Sequence, residues 1–125
     1  MSLPKIAVTM GDPAGVGPEV CLHLLHDEEI ARLCTPVVFG NAAVLDQAAV
    51  QCRLIKPDKV VAGLGEADAP SVFDIGAIDL IDFETGTVNA ATGRAGYTYV
   101  ENAIDAALGG QVAAVTTAPL NKEAL

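Results

Sequence analysis

The stretch IAVTMGDPAGVGPE, Ile6 to Glu19, decides the fold of this chain. An apolar run from Ile6 to Met10 stops at a glycine-rich turn. Pro18 and Glu19 then open an amphipathic run in which Val20, Cys21, Leu24 and Leu25 recur at helical spacing. The order reads as strand, loop and helix N-terminus. Proline suits a first helical turn because its missing N–H would be unpaired there anyway. Backbone amides at such a terminus carry partial positive charge, so the geometry suits an anionic group.

Outward from that segment, strand and helix signals alternate. Asp27-Glu28-Glu29 restarts a helical turn through Ile30 and Leu33. Thr35 to Gly40 reads as a second strand, and Asn41 as the cap of a helix carrying Val44, Leu45, Ala48 and Ala49. Arg53-Leu54-Ile55 reads as a short strand, residues 57–70 as loop, and Lys59 to Ala62 within them as a helical turn or strand fragment. Ser71 to Asp74 and Ala77 to Ile81 read as strands, and Phe83 to Ala91 as a long turn-rich connection. Tyr97, Val100, Ile104 and Leu108 mark the apolar face of a helix, with Thr98, Glu101 and Asp105 opposite. Gly109-Gly110 stops that helix. Val112 to Thr117 forms a last strand, and Pro119 to Leu125 opens a further helix. The alternation predicts an α/β fold: a mostly parallel sheet with helices on both faces.

The chain has 125 residues, 51% of them hydrophobic, with a net charge of −9. No basic cluster exists, which argues against nucleic acid and against electrostatic binding to an acidic membrane. No apolar run approaches a membrane span. The high apolar content reads either as a small core rich in Ala and Val or as surface meant for a partner subunit or further chain. Cys21, Cys34 and Cys52 have no metal or disulfide spacing, so reduced, buried thiols in the cytoplasm are expected.

Ligands of open α/β sheets bind beyond the carboxyl ends of the strands. Two loops qualify: Gly11 to Glu19, and Thr116-Thr117-Ala118-Pro119-Leu120-Asn121-Lys122. In the first, Gly11, Gly15 and Gly17 permit positive φ and close backbone approach. Asp12 either holds the turn through loop amides or faces a ligand hydroxyl. A Walker loop is excluded because Pro18, not Lys, follows Gly17. A dinucleotide fingerprint fails because residue 20 is Val. In the second loop Lys122, one of seven basic residues, stands near a helix start, where a cation needs an anionic neighbour. Thr116, Thr117 and Asn121 add neutral donors. His23 and His26 sit three apart without a third ligand and read as ordinary helix residues.

Met10 to Glu19, MGDPAGVGPE, resembles the N-terminal signature of the 4-hydroxythreonine-4-phosphate dehydrogenase family of pyridoxal phosphate biosynthesis. Thr117 to Leu125, TAPLNKEAL, resembles that family's second signature, with wording closer to the branch that oxidises 4-phospho-D-threonate or 4-phospho-D-erythronate. The resemblance implies a two-domain α/β/α enzyme related to isocitrate and isopropylmalate dehydrogenases. It implies a homodimer that oxidises a phosphorylated hydroxy acid with NAD (or NADP) and a divalent metal. It assigns Asp12, Gly15 and Gly17 to the glycine-rich loop lining the cleft, as cofactor-binding residues, and Lys122 to the substrate's anionic end; Thr117 and Asn121 are expected to bind substrate beside it. The family's three metal-binding histidines have no counterpart among these residues. Residues 1–125 are therefore expected to be the N-terminal part of a dehydrogenase domain, well under half of a member, and inactive alone. A non-catalytic module that binds an anion or assembles through its apolar surface is the competing reading.

Overall fold

The computed structural model describes residues 3–87 and 89–120. The elements run β1 (Lys5–Thr9), α1 (Gly17–Leu25), α2 (Glu28–Leu33), β2 (Thr35–Gly40), α3 (Ala42–Cys52), β3 (Val60–Val61), β4 (Ser71–Asp74), α4 (Ala90–Leu108) and β5 (Ala114–Thr117). Every pairing is parallel, and the strands lie in the order β3-β4-β2-β1-β5. From β1 the chain steps to β2 and on to the edge strand β3, comes back to β4 between those two, then returns through α4 to the far side of β1. Right-handed crossovers in the two directions put α1 and α3 on one face and α4 on the other. Accordingly α1 packs on α3, while α4 lies across β1, β2 and β5. The result is the expected three-layer α/β arrangement. The reversal makes the gap between β1 and β5 a topological switch point.

The core is centred on β2, all six of whose residues are buried. Phe39 sits edge-on to Phe73 with ring centroids 5.1 Å apart, and Met10, Leu22 and Leu45 are buried in the same core cluster. A fully buried side chain of this size contributes roughly 2–3 kcal/mol. Helix ends follow local chemistry. Asp27 Oδ1 accepts from the amides of Glu29 and Ile30 at 2.9 and 3.1 Å and caps α2. Asn89 accepts from Thr92 N at 2.9 Å and caps α4. The end of α4 uses Gly110, whose φ of 76° lets Gln111 N reach Ala106 O at 2.9 Å.

Four expectations fail, each for a physical reason. Arg53-Leu54-Ile55 is not a strand. Arg53 takes a left-handed conformation (φ 56°) that closes α3, and Leu54 N turns back to Ala49 O. Ala77 to Ile81 is not a strand either, because the chain leaves the sheet at Asp74 and makes one 3₁₀ turn at Leu80–Asp82. The Tyr97–Val100–Ile104–Leu108 stripe of α4 faces outward, with Tyr97 and Leu108 exposed. The buried stripe is Thr92, Ala95, Gly96, Tyr99, Ala103 and Ala106. Close approach selects it: a Cβ on Gly96 would lie 2.9 Å from the Leu120 side chain and 3.3 Å from Gly11 O. Finally, Cys21 is buried as expected, but Cys52 is exposed at the end of α3. Burial pushes the Cys21 thiol up to about 12.

Candidate functional site

The two loops singled out by sequence meet at the β1/β5 switch point. β1 and β5 are direct neighbours, with Thr9 paired to Thr117. Asp12 N donates to Pro119 O at 3.1 Å and Ala118 N donates to Thr9 O at 2.9 Å. Thr9 Oγ1 donates to Thr117 Oγ1 at 2.5 Å, and Thr117 Oγ1 donates to Ala118 O at 2.8 Å. The loops are thus stitched together by backbone and hydroxyl groups. Asn121 and Lys122 lie outside the described residues.

The glycines divide the work. Gly11 alone of the three has positive φ, 76°, and a Cβ there would sit 2.3 Å from Pro119 O. Gly17 does not have positive φ. Its missing Cβ lets the start of α1 close on the end of β1, since a Cβ would lie 1.8 Å from Met10 O. The freedom expected of Gly17 therefore serves internal packing. A Cβ on Gly15 would make only ordinary contact, with Asp12 O at 3.5 Å. Gly15 lines a cavity of about 290 Å³ beneath the loop, walled by Val16, Pro18, Val44, Ala48 and Gly86 among others.

Asp12 takes the turn-holding role that its sequence position left open. Its Oδ1 accepts from Ala14 N at 2.8 Å and holds the turn. Its Oδ2 is buried and has no hydrogen-bond partner, in a side chain only 4% exposed. A buried acceptor left unpaired costs about 1–3 kcal/mol, so this oxygen fits a ligand that brings a donor, such as a hydroxyl. Val16 at the N-cap of α1 supplies no side-chain cap, which leaves the helix's first amides free of a side-chain acceptor. The rim therefore offers an acceptor and helix-terminal donors side by side. A ligand carrying both hydroxyls and an anionic group matches that pair.

The histidines stand apart from the rim. His23 falls in the last turn of α1, and just past it His26 pairs by its ring with Lys56 O at 2.9 Å, with Asp58 3.8 Å away. Among the described residues no group of three or more His, Cys, Asp and Glu converges as a metal site would require.

The expected cap role of Asn41 fails, and Asp74 and Tyr99 take roles that the sequence did not announce. Asn41 stands at the start of α3 but does not cap it; Asp74 Oδ1 accepts from Ala42 N at 2.9 Å instead. Asn41 Nδ2 donates to Ile78 O at 3.0 Å, and Asn41 Oδ1 accepts from the fully buried Tyr99 hydroxyl. Desolvation, with smaller contributions from the Asp74 and Asp12 carboxylates, holds the Tyr99 hydroxyl well above the usual phenol range. The alternation of two apolar stripes on α4 hid Tyr99, because Tyr97 fits the larger-residue stripe.

A family model described as pyridoxal phosphate biosynthetic protein PdxA matches residues 32–125. A Symbiobacterium thermophilum protein provisionally named D-threonate 4-phosphate dehydrogenase is 36% identical over 98% of this chain. The chain spans 38% of that relative's length. The crystal structure of a 4-hydroxythreonine-4-phosphate dehydrogenase from Burkholderia phymatum superposes with a TM-score of 0.85 at 34% identity, covering 99% of this chain and 38% of that one. A terephthalate 1,2-cis-dihydrodiol dehydrogenase from Burkholderia xenovorans gives a TM-score of 0.76 at 32% identity, covering 98% of this chain and 36% of that one.

Proposed function

The chain belongs to the pyridoxal phosphate biosynthetic protein PdxA family, and on that premise we propose that it forms the N-terminal part of a dehydrogenase acting on a phosphorylated hydroxy acid. D-threonate 4-phosphate is the favoured substrate, on the naming of the similar relatives; 4-hydroxythreonine 4-phosphate is the alternative. The observation that carries the reading is the stitched rim at β1 and β5, where Asp12 Oδ2 awaits a donor beside an uncapped helix start.

In this reading NAD (or NADP) accepts hydride from the substrate's secondary alcohol. Asp12, Gly15 and Gly17 belong to the cofactor side of the cleft, and Asp12 Oδ2 fits a ribose-type hydroxyl. Thr117, Asn121 and Lys122 belong to the substrate's anionic end. The described residues do not fit a divalent metal, so further chain of the length seen in the relatives would hold one. Residues 1–125 would then be one rim of a cleft, inactive alone, within a cytoplasmic homodimer. The exposed β5 edge and the outward apolar stripe of α4 support a larger domain around them. No described helix is long and apolar enough to cross a membrane.

Calorimetry and a turnover assay on the 125-residue chain test this. D-threonate 4-phosphate should bind and D-threonate should not, and NAD with divalent metal should give no NADH. Metal-dependent NADH formation by these residues would overturn the assignment of the metal to further chain. Equal binding of a cis-dihydrodiol would overturn the phosphorylated substrate class.

A further inference from the structure

After β4 the chain does not return straight to α4. It first crosses the C-terminal rim of the sheet as a strap, residues 75–87. Ile75 N donates to Gly40 O at 2.7 Å at its start, and Gly86 N donates to Ala14 O at 2.7 Å near its end. Between them most of the strap is exposed, and Ile78 is its one buried anchor among the residues whose side chains are described. Glycines with open space around them stand near both ends, Gly76 and Gly86, the latter with φ of 84°. Thr85 and Gly86 form one wall of the cavity under the glycine loop.

The anchor is held from below by two buried polar side chains. Asn41 Nδ2 donates to Ile78 O at 3.0 Å, and the Tyr99 hydroxyl donates to Asn41 Oδ1. Neither group serves its own element. The start of α3 is capped by Asp74 rather than Asn41, and Tyr99 reaches from α4 to meet Asn41. Two buried polar groups are thus committed to one carbonyl of an otherwise exposed segment. Such buried pairs are costly unless satisfied, and satisfied they fix one geometry.

We propose that Tyr99 and Asn41 are positioning residues: a clasp that sets the strap against the glycine loop and so fixes the cavity wall at Thr85–Gly86. The clasp acts through Ile78, with Gly76 and Gly86 as the points where the strap turns when it lifts. This inference does not depend on the identity of the substrate.

Hydrogen exchange on the intact 125-residue chain tests it with two variants. Tyr99→Phe removes the donor to Asn41. Asn41→Asp keeps the acceptor for Tyr99 but replaces the donor to Ile78 with a carboxylate oxygen, so it releases the strap without emptying the core. In both, amides of residues 75–87 and of Ala14 to Val16 should exchange about tenfold faster, as the loss of one buried hydrogen bond predicts. Amides of β1 and β2 should keep their protection. Unchanged exchange in 75–87 in Asn41→Asp overturns the proposal. So does a uniform rise across β1, β2 and the strap in that variant, which would make the pair ordinary core support.

Discussion

β2 and β5 are both short, parallel and rich in β-branched residues, yet they have opposite surroundings. All six residues of β2 are buried and all four of β5 are exposed. The same split runs through α4, whose inner stripe of small residues touches the sheet while Tyr97, Ile104 and Leu108 face out. The difference lies in cover rather than composition. β2 has β1 and β4 beside it and α1, α2 and α4 packed against it, whereas β5 has β1 on one side and α4 across it. A strand's letters state that it can be buried; its neighbours decide whether it is.

The comparison is sharpest under truncation. Phe39→Ala in the centre should cost about 3–5 kcal/mol, read as a lowered denaturation midpoint, because it empties a site with no exposed surface. A loss under about 1 kcal/mol would mean that the β2 centre is loosely packed.

The next effect is a pH dependence confined to the buried side. Cys21 is raised from 9.0 in the unfolded chain to about 12 in the fold. A raised acid binds its proton more tightly when folded, so the stability it contributes is complete below pH 9.0 and lost as pH climbs toward 12. By mid-window, unfolding free energy should fall by about 2 kcal/mol from this group. Tyr99, raised from its ordinary 10.0, adds to the fall at the upper end of the window. Cys21→Ala should flatten the lower part of the profile; an unchanged profile would place Cys21 in contact with water.

The smallest effect belongs to the open side. Leu108→Glu, at 83% exposure, should change stability by less than about 0.5 kcal/mol. A loss of several times that would show the stripe covered in solution and erase the contrast with β2.

Much of this architecture was legible in the letters. The β1–loop–α1 unit, β2, β4, the end of α4 at Gly109-Gly110 and the convergence of two loops all follow from runs, glycines and turn residues. The boundaries of β2 and β4 match to the residue because turn-forming or capping residues bracket them. Two things did not follow. Segments 53–55 and 77–81 are apolar enough for strands, but a left-handed Arg53 and the departure from the sheet at Asp74 are backbone events that side-chain pattern does not encode. The orientation of α4 was invisible because both stripes are apolar, and steric approach at Gly96, not hydropathy, chose between them. At the site, the Asp12 turn and the Gly11 conformation could be anticipated. The Tyr99–Asn41–Ile78 link joins residues far apart in sequence and could not.

The proposed function rests on the Gly11–Glu19 loop and residues 116–120 sharing one rim, with a phosphorylated acid as the proposed guest. Amide chemical-shift mapping of the isotope-labelled chain during titration with D-threonate 4-phosphate tests it most directly. Saturable shifts should concentrate at residues 10–17 and 116–120 and be absent with D-threonate. Shifts centred on His26 and Ile55, or identical shifts from the unphosphorylated acid, would contradict it.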